Sequence, residues 1–586
     1  MNIRRVAWAL GLLFLLTGCD ALFQQMEKPE GRDDHPALDV LNPLEVPADP
    51  ALSQHSDEFR REIIQVTDRV YVAVGYALAN SILIVGEGGN IVVDATESPE
   101  VARALRVEFD RIAPAPLAGL IYTHNHGDHT FGAGGMVGSD QPEVLGHEDT
   151  EALVRRVVGM LNPTLSRRAA RMFGSSLNGP AFENAGIGPE LKLSPNRDIQ
   201  FLPPTQTVSD RLEVTIAGVR MLLVHAPGET DDQIYVYLPD DGVLLPGDNF
   251  YRAFPNLYTI RGTPYRSLEG WTASLDAMIA HKPEHLVPSH TRPISGAEQI
   301  AEALTQYRDA IQFVHDQAVR AINSGASPDS LLELELPETL AESPYLQSFY
   351  GRPGWSARAV YSGYLGWFNG NPTGLDPLGE AERAENWVRM AGGVDALVTE
   401  AMRAWSKAEY RWILHISDAV LQVAPEHQTM KTLRSNALVR LGAASSNPNQ
   451  RHYYLVAAQQ MNSPGAGVLP PNEALLERIP MEDLLRILRV RLDPEKAAGV
   501  DVTVRLEFDD GGVFDMQVRN SVLVVHSEKK LRSPDVVVKG SRRDIKLVLG
   551  GVKNVIAATT ISGELTIERG SRVSLLNFLT LFASGS

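Results

Sequence analysis

The residues with the clearest chemical capacity are Thr-His-Asn-His-Gly-Asp-His, Thr123 to His129, directly after the apolar run Gly119-Leu-Ile-Tyr122. Three imidazoles and one carboxylate in so short a stretch make a donor set suited to zinc, which takes neutral imidazole and carboxylate oxygen. The spacing also divides the donors. On an extended or turning segment His124 and His126 point together, while Asp128 and His129 turn toward a second point. That is a two-metal pattern, with metals roughly 3.5–4 Å apart in sites of this kind. The bland alternative is a solvated loop with chance histidines. Only 15 histidines occur in 586 residues, which argues against it.

Three later segments offer the remaining donors. His225-Ala-Pro-Gly-Glu229 follows Met221–Val224, Pro246-Gly-Asp248-Asn follows Val243–Leu245, and Ser289-His290 follows Leu286–Pro288. Each time a short hydrophobic strand ends and a metal-competent side chain opens the next loop, the usual placement of sites on a rigid scaffold. The supporting elements are legible too. Val70–Val74, Ser81–Val85, Ile91–Val93 and Leu120–Tyr122 read as strands, and Pro99–Ile112 has apolar residues at helical spacing. Asp94, just after one of these strands, reads as a support or a structural residue near the metal loop. His147 and His225 are left outside the donor set.

The order His-x-His-x-Asp-His, Pro-Gly-Glu-Thr, Pro-Gly-Asp, Ser-His resembles the metallo-β-lactamase fold. The common member of that superfamily carries histidine where this chain has Glu229, and a glutamate there resembles the zinc-dependent alkylsulfatases. Glu229 and Asp248 stand nineteen residues apart, the family's spacing. Asn256-Leu-Tyr-Thr-Ile-Arg-Gly262 resembles the family segment that presents an arginine to sulfate. One departure stands out: the family reads Ala-Glu-Asn where this chain reads Gly247-Asp248-Asn249. Phe59–Ser81 resembles the family's lead-in, Tyr361–Pro372 the opening of its dimerisation domain, and the last hundred or so residues its small carrier-type domain.

The resemblance implies an α/β fold: a metallo-β-lactamase αββα sandwich, then an α-helical dimerisation domain and a small α+β sterol-carrier-like domain. It implies two Zn2+ per chain. His124, His126 and Glu229 would hold one, Asp128, His129 and His290 the other, with Asp248 between them. Asp248 and Arg261 are then the catalytic candidates, and Arg261 with Asn256 would bind the sulfate of an alkyl sulfate ester. A zinc-bound hydroxide or water would release alcohol and inorganic sulfate. Two other readings stay open: a dinuclear-zinc hydrolase of another ester, phosphoester or lactam, and a membrane-tethered lipid-binding protein with a vestigial site.

Composition bounds the partners. A formal charge of −18 disfavours nucleic acid and anionic lipid surfaces. The start is separately readable: Met1-Asn-Ile-Arg-Arg is basic, Val6–Leu16 is apolar, and Leu16-Thr-Gly-Cys19 follows. The apolar run is too short to span a membrane and fits a secretory signal. It looks like a bacterial lipoprotein signal. Cys19, the one cysteine, would carry the lipid and hold the chain in the cell envelope, facing the periplasm or exterior. The domains expected are then a signal peptide over 1–18, a tether over 19–56, a catalytic domain over 57–320, a helical dimerisation domain over 328–462 and the carrier-like domain over 473–586. A homodimer follows from the resemblance. In the helical part Trp405 and Trp412 are expected as core anchors, and the apolar run from Ser574 as part of a core more than of a lipid pocket.

Overall fold

The computed structural model describes residues 38–194, 198–463, 473–527, 533–560 and 563–582. The signal, the start of the tether and Cys19 lie outside the described residues. The chain divides into two compact units: Pro377–Leu441 with the described residues up to Leu41, and all the rest.

The larger unit is built on two facing sheets. The first runs in the order β1 (Glu62–Gln65), β2 (Val70–Val74), β3 (Ser81–Val85), β4 (Asn90–Val93), β5 (Leu117–Ile121), β6 (Glu143–His147), β7 (Gln206–Val208). Its first four strands pair antiparallel and the remainder parallel. The second sheet is ordered β13 (Ile294–Ser295), β12 (His285–Leu286), β11 (Val243–Leu245), β10 (Ile234–Leu238), β9 (Val219–His225), β8 (Arg211–Ile216).

The side-chain period of two sorts each strand between two cores. Val70, Val72, Val74, Ile82, Ile84, Ile91 and Val93 meet Met221, Leu223, Ile234, Val236 and Leu245 between the sheets. The intervening Ala73, Leu83 and Val92 face outward, onto Ala102, Leu105 and Phe109 of helix α1 (Pro99–Ile112). This helix starts where it does because the Ser98 hydroxyl caps Val101 N–H, with Pro99 in the first turn. On the far side, Tyr235 and Leu244 of the second sheet pack against Leu268, Trp271 and Leu275 of α2 (Leu268–Ala280) and Ile300, Leu304 and Tyr307 of α3 (Ala297–Asn323). Helix, sheet, sheet, helix: this is the expected sandwich.

The smaller unit contains Glu380–Ala391, Val394–Ser406, Tyr410–Val423 and most of Gln428–Ala443, four helices around Leu397, Val398, Ile413, Ile416, Val420 and Leu433. Trp405 and Trp412 are half-buried against that cluster. The C-terminal part of the larger unit is a five-stranded sheet, Val502–Phe508 paired with Val513–Arg519 and Val536–Gly540, with helices on one face. Leu575 and Phe578 pack into its core with Leu506, Met516 and Val538. Among the described residues no helix is long and apolar enough to cross a membrane.

Candidate metal centre

The predicted donors come from one edge of the sandwich, where β5, β9, β11 and β12 all end. Asp94, just past β4, organises them. Its Oδ1 accepts from Thr123 N–H at 2.9 Å, and its Oδ2 accepts from Ser289 Oγ at 2.7 Å and lies 2.8 Å from His129 Nδ1. One carboxylate thus ties the His-rich loop to the loop carrying His290. Asp94 sits in the left-handed region at φ 64. A strained residue costs roughly 1–3 kcal/mol, whereas burying one apolar side chain of the inter-sheet core is worth about 1.5–3 kcal/mol. The core wins easily and holds Asp94 in place.

Two donor groups result. His124, His126 and Asp248 lie together, and Asp128, His129 and His290 form the other group; within each, the ligand atoms all lie within 4.8 Å of one another. Asp248 Oδ2 is 3.6 Å from His124 Nε2, 3.5 Å from His129 Nε2 and 3.3 Å from His290 Nε2, so it faces both groups. Asp128 Oδ2 is 3.5 and 3.4 Å from the Nε2 atoms of His129 and His290. Glu229 stands at the border of the first group, its Oε1 4.0 Å from His126 Nδ1.

The chemistry of this set fits a metal. His124 Nε2, His129 Nε2, His290 Nε2 and Asp248 Oδ1 are buried with no hydrogen-bond partner, an arrangement natural proteins rarely tolerate without reason. The opposite ring nitrogens are engaged: His129 by Asp94, and His290 Nδ1 facing the carbonyls of Leu78 and Ile187 at 3.0 and 3.1 Å. Such outer partners fix ring orientation and leave the inner nitrogen for a metal.

The electrostatics agree. Burial and the neighbouring His129 push His124 down to about 4, and burial with His124 and Arg261 holds His126 well below its ordinary value. Both stay neutral, as ligands must. Burial works against charge on His290, yet Asp248 and Asp128 push it up to about 10. Burial likewise opposes ionisation of Asp128 and Asp248, but the facing imidazoles hold both well below the carboxylate range. In the protein alone, protons on one imidazole set balance the carboxylates; a dication takes over that role.

Glycine is required beside two ligands. Any Cβ at Gly228 would collide with Asn249 Oδ1, and one at Gly247 (φ 60) with Gln233 Nε2. The Asn249 amide secures the Glu229 loop, accepting from Glu229 N–H at 3.2 Å and donating to Ala226 O at 2.7 Å.

Arg261 is half-buried at the edge of this centre, its Nη2 3.2 Å from His126 Nε2. Asn256 is buried, and its Nδ2 has no hydrogen-bond partner. Sequence reasoning missed Arg266. It is 3% exposed, its Nη1 lies 2.9 Å from Glu229 Oε1 and also donates to the Asn256 carbonyl, and its Nε and Nη2 have no hydrogen-bond partner. The sequence offered only a second arginine five residues after Arg261; its burial and spare donors are visible in the structure alone. His225 and His147 stack on each other at 4.2 Å, outside both donor groups.

Comparison with known proteins agrees with this geometry. Residues 74–290 match the metallo-β-lactamase superfamily, 329–463 the alkyl sulfatase dimerisation domain and 471–585 the alkyl sulfatase C-terminal domain. A linear primary-alkylsulfatase from a Pseudomonas species is 33% identical over 519 residues, 84% of this chain and 97% of that protein. The chain belongs to the alkylsulfatase family of the metallo-β-lactamase superfamily. An (R)-specific secondary-alkylsulfatase from Pseudomonas is 26% identical, matching 81% of this chain and 74% of its own length. The solved structure of the inverting sec-alkylsulfatase Pisa1 from Pseudomonas shares the fold with a TM-score of 0.83 at 24% identity, covering 92% of this chain and 87% of that one.

Proposed function

We propose that this protein hydrolyses alkyl sulfate esters to an alcohol and inorganic sulfate at a dinuclear zinc centre. The observation that carries the reading is the pairing of two donor groups around Asp248 with a half-buried arginine, Arg261, and two buried donors, Arg266 and Asn256, beside them. His124, His126 and Glu229 would hold one zinc ion, Asp128, His129 and His290 the other, with Asp248 shared. Two zinc ions there would supply Lewis acidity and a water ionised near neutral pH.

The protein's own residues do the rest. Arg261 and Arg266 offer planar forks to a tetrahedral oxyanion, which they bind better than a point charge does. Asn256 adds a neutral donor through its unpartnered Nδ2. As the ester bond breaks, charge gathers on sulfate, and these groups stabilise it where it develops. The bulk charge of −18 repels an anionic substrate, so recognition rests on these local cations.

The test is release of sulfate from a medium-chain alkyl sulfate by the purified protein, with and without a chelator. Release abolished by chelation and restored by zinc supports the reading. An Arg261→Ala variant should keep its metal and lose turnover; equal activity removes that arginine. No release from protein holding two zinc ions sinks the sulfate assignment.

The placement is also a proposal. A basic start, an apolar run and Leu-Thr-Gly-Cys support acylation at Cys19 and a lipid anchor in the bacterial envelope, facing the periplasm or exterior. Fatty-acid labelling that survives Cys19→Ala would refute it. The match to a dimerisation domain supports a homodimer, which the mass in solution tests directly.

A further inference from the structure

Four buried groups beside the centre close into a ring. The Tyr251 hydroxyl accepts from Asn256 N–H at 2.8 Å and donates to Glu229 Oε2 at 3.1 Å. Arg266 Nη1 sits 2.9 Å from the other oxygen, Glu229 Oε1, and donates to the Asn256 carbonyl. Glu229 is therefore held at both oxygens, and Asn256 at both ends of its backbone, by the same two side chains. All four residues are at most 3% exposed. The Tyr251 ring is itself fixed edge-on by Tyr307, Tyr350 and His290, at 6.2, 5.8 and 6.0 Å.

We infer that Tyr251 is a positioning residue that couples the metal-binding carboxylate of Glu229 to the oxyanion-binding segment that begins at Asn256. This rests on the proposed roles of those two elements and deepens them. A carboxylate has two oxygens and about four lone-pair directions, so Glu229 accepts from Tyr251 and Arg266 and keeps capacity for a metal. A histidine at this position has no such spare acceptor, which gives the glutamate a purpose beyond ligation. A metal that draws Glu229 into place draws the Tyr251 hydroxyl with it, and the hydroxyl sets the Asn256 N–H. Linkage is reciprocal: sulfate seated on the segment must hold the metal more tightly. Low dielectric strengthens every bond of a buried ring like this one.

The experiment uses the full-length zinc-loaded protein and inorganic sulfate as the probe. The rate at which a chelator strips metal is measured with and without sulfate, alongside turnover of an alkyl sulfate. Sulfate should slow stripping of the unaltered protein. Tyr251→Phe keeps the ring and its packing but removes the hydroxyl. It should start with two metals, lose them about tenfold faster, and show several-fold weaker protection by sulfate. Arg266→Met, which removes the Nη1 that touches both Glu229 and the Asn256 carbonyl, should likewise speed metal loss with no sulfate present and serves if the tyrosine variant fails to fold. Tyr350→Phe, changed in a neighbouring ring, should behave as the unaltered protein. Unchanged protection in Tyr251→Phe, or an equal loss in Tyr350→Phe, overturns the coupling. Turnover with unchanged protection overturns the coupling alone; absence of turnover in the unaltered protein overturns the function and the coupling together.

Discussion

The two halves of the centre are supported in different ways. Around Asp128, His129 and His290 the outer contacts come from the scaffold itself: Asp94 at a strand end, and backbone carbonyls at Leu78 and Ile187. Around His126 and Glu229 the outer contacts come from side chains that border the proposed sulfate site, namely Tyr251, Arg261 and Arg266, while His124 Nδ1 meets Thr123 Oγ1, itself bonded to Asp94. The first half is anchored to a strand end and to backbone carbonyls of the scaffold. The second is anchored to the parts that meet substrate. A centre built this way keeps one metal site fixed and lets the other register the state of the oxyanion pocket.

The comparison can be broken most directly at His290. His290→Ala should leave the first donor group with its metal, empty the second, and lower turnover about a thousandfold or more, several kcal/mol of lost Lewis-acid stabilisation. Metal content of one ion per chain with turnover retained would show that the halves are not both needed.

Glu97 tests the scaffold side through pH. Its carboxylate accepts from Leu78 N–H and Lys192 N–H, and Leu78 supplies the carbonyl under His290. Burial, opposed by the Lys192 N–H bond, pushes Glu97 up to about 7. The folded state keeps this proton until about pH 7, while the unfolded chain gives it up near 4.5. Stability from this residue is therefore present at low pH and lost as pH rises from about 4.5 to 7, by roughly 3 kcal/mol. Glu97→Gln should flatten that slope in denaturant unfolding of the chelated protein. An unchanged slope would place the titration elsewhere.

A smaller and more selective effect belongs to Asp94. Asp94→Asn should weaken metal binding at the His129 side, which it touches directly, by about 10–100-fold and the His124 side, which it reaches only through Thr123, by clearly less. Stepwise zinc titration separates the two sites, and equal weakening of both would deny the difference between the halves.

Much of this was readable in the chain. Thr123–His129 concentrates its donors locally, so spacing alone divides them into two directions, and the structure places them in two groups around Asp248. The β2, β3 and β4 runs were readable as strands, while the sorting of their two faces between two cores came from the structure. The supports were harder to read. Asp94 was visible only as an acid after a strand, because its partners Thr123, His129 and Ser289 are brought to it by three different loops. Tyr251 and Arg266 look in sequence like an ordinary core tyrosine and a surface arginine. Their roles come from bonds to Glu229 across 22 and 37 positions of chain.

What the amino-acid order determined by itself was the chemistry on offer, seven candidate metal donors on loops after short apolar strands; the oxyanion role of the Arg261 segment and the meaning of Glu229 came from the resemblance to the alkylsulfatases. Local spacing and side-chain period carry that kind of information, because they act within a few residues. Only the tertiary structure decided which donors face one another, that Asp248 lies within 3.6 Å of His124, His129 and His290 as the resemblance implied, and that Tyr251 and Arg266 tie the Glu229 carboxylate to Asn256. Those facts depend on how two sheets pack and where their strands end, and no short stretch of the chain contains them.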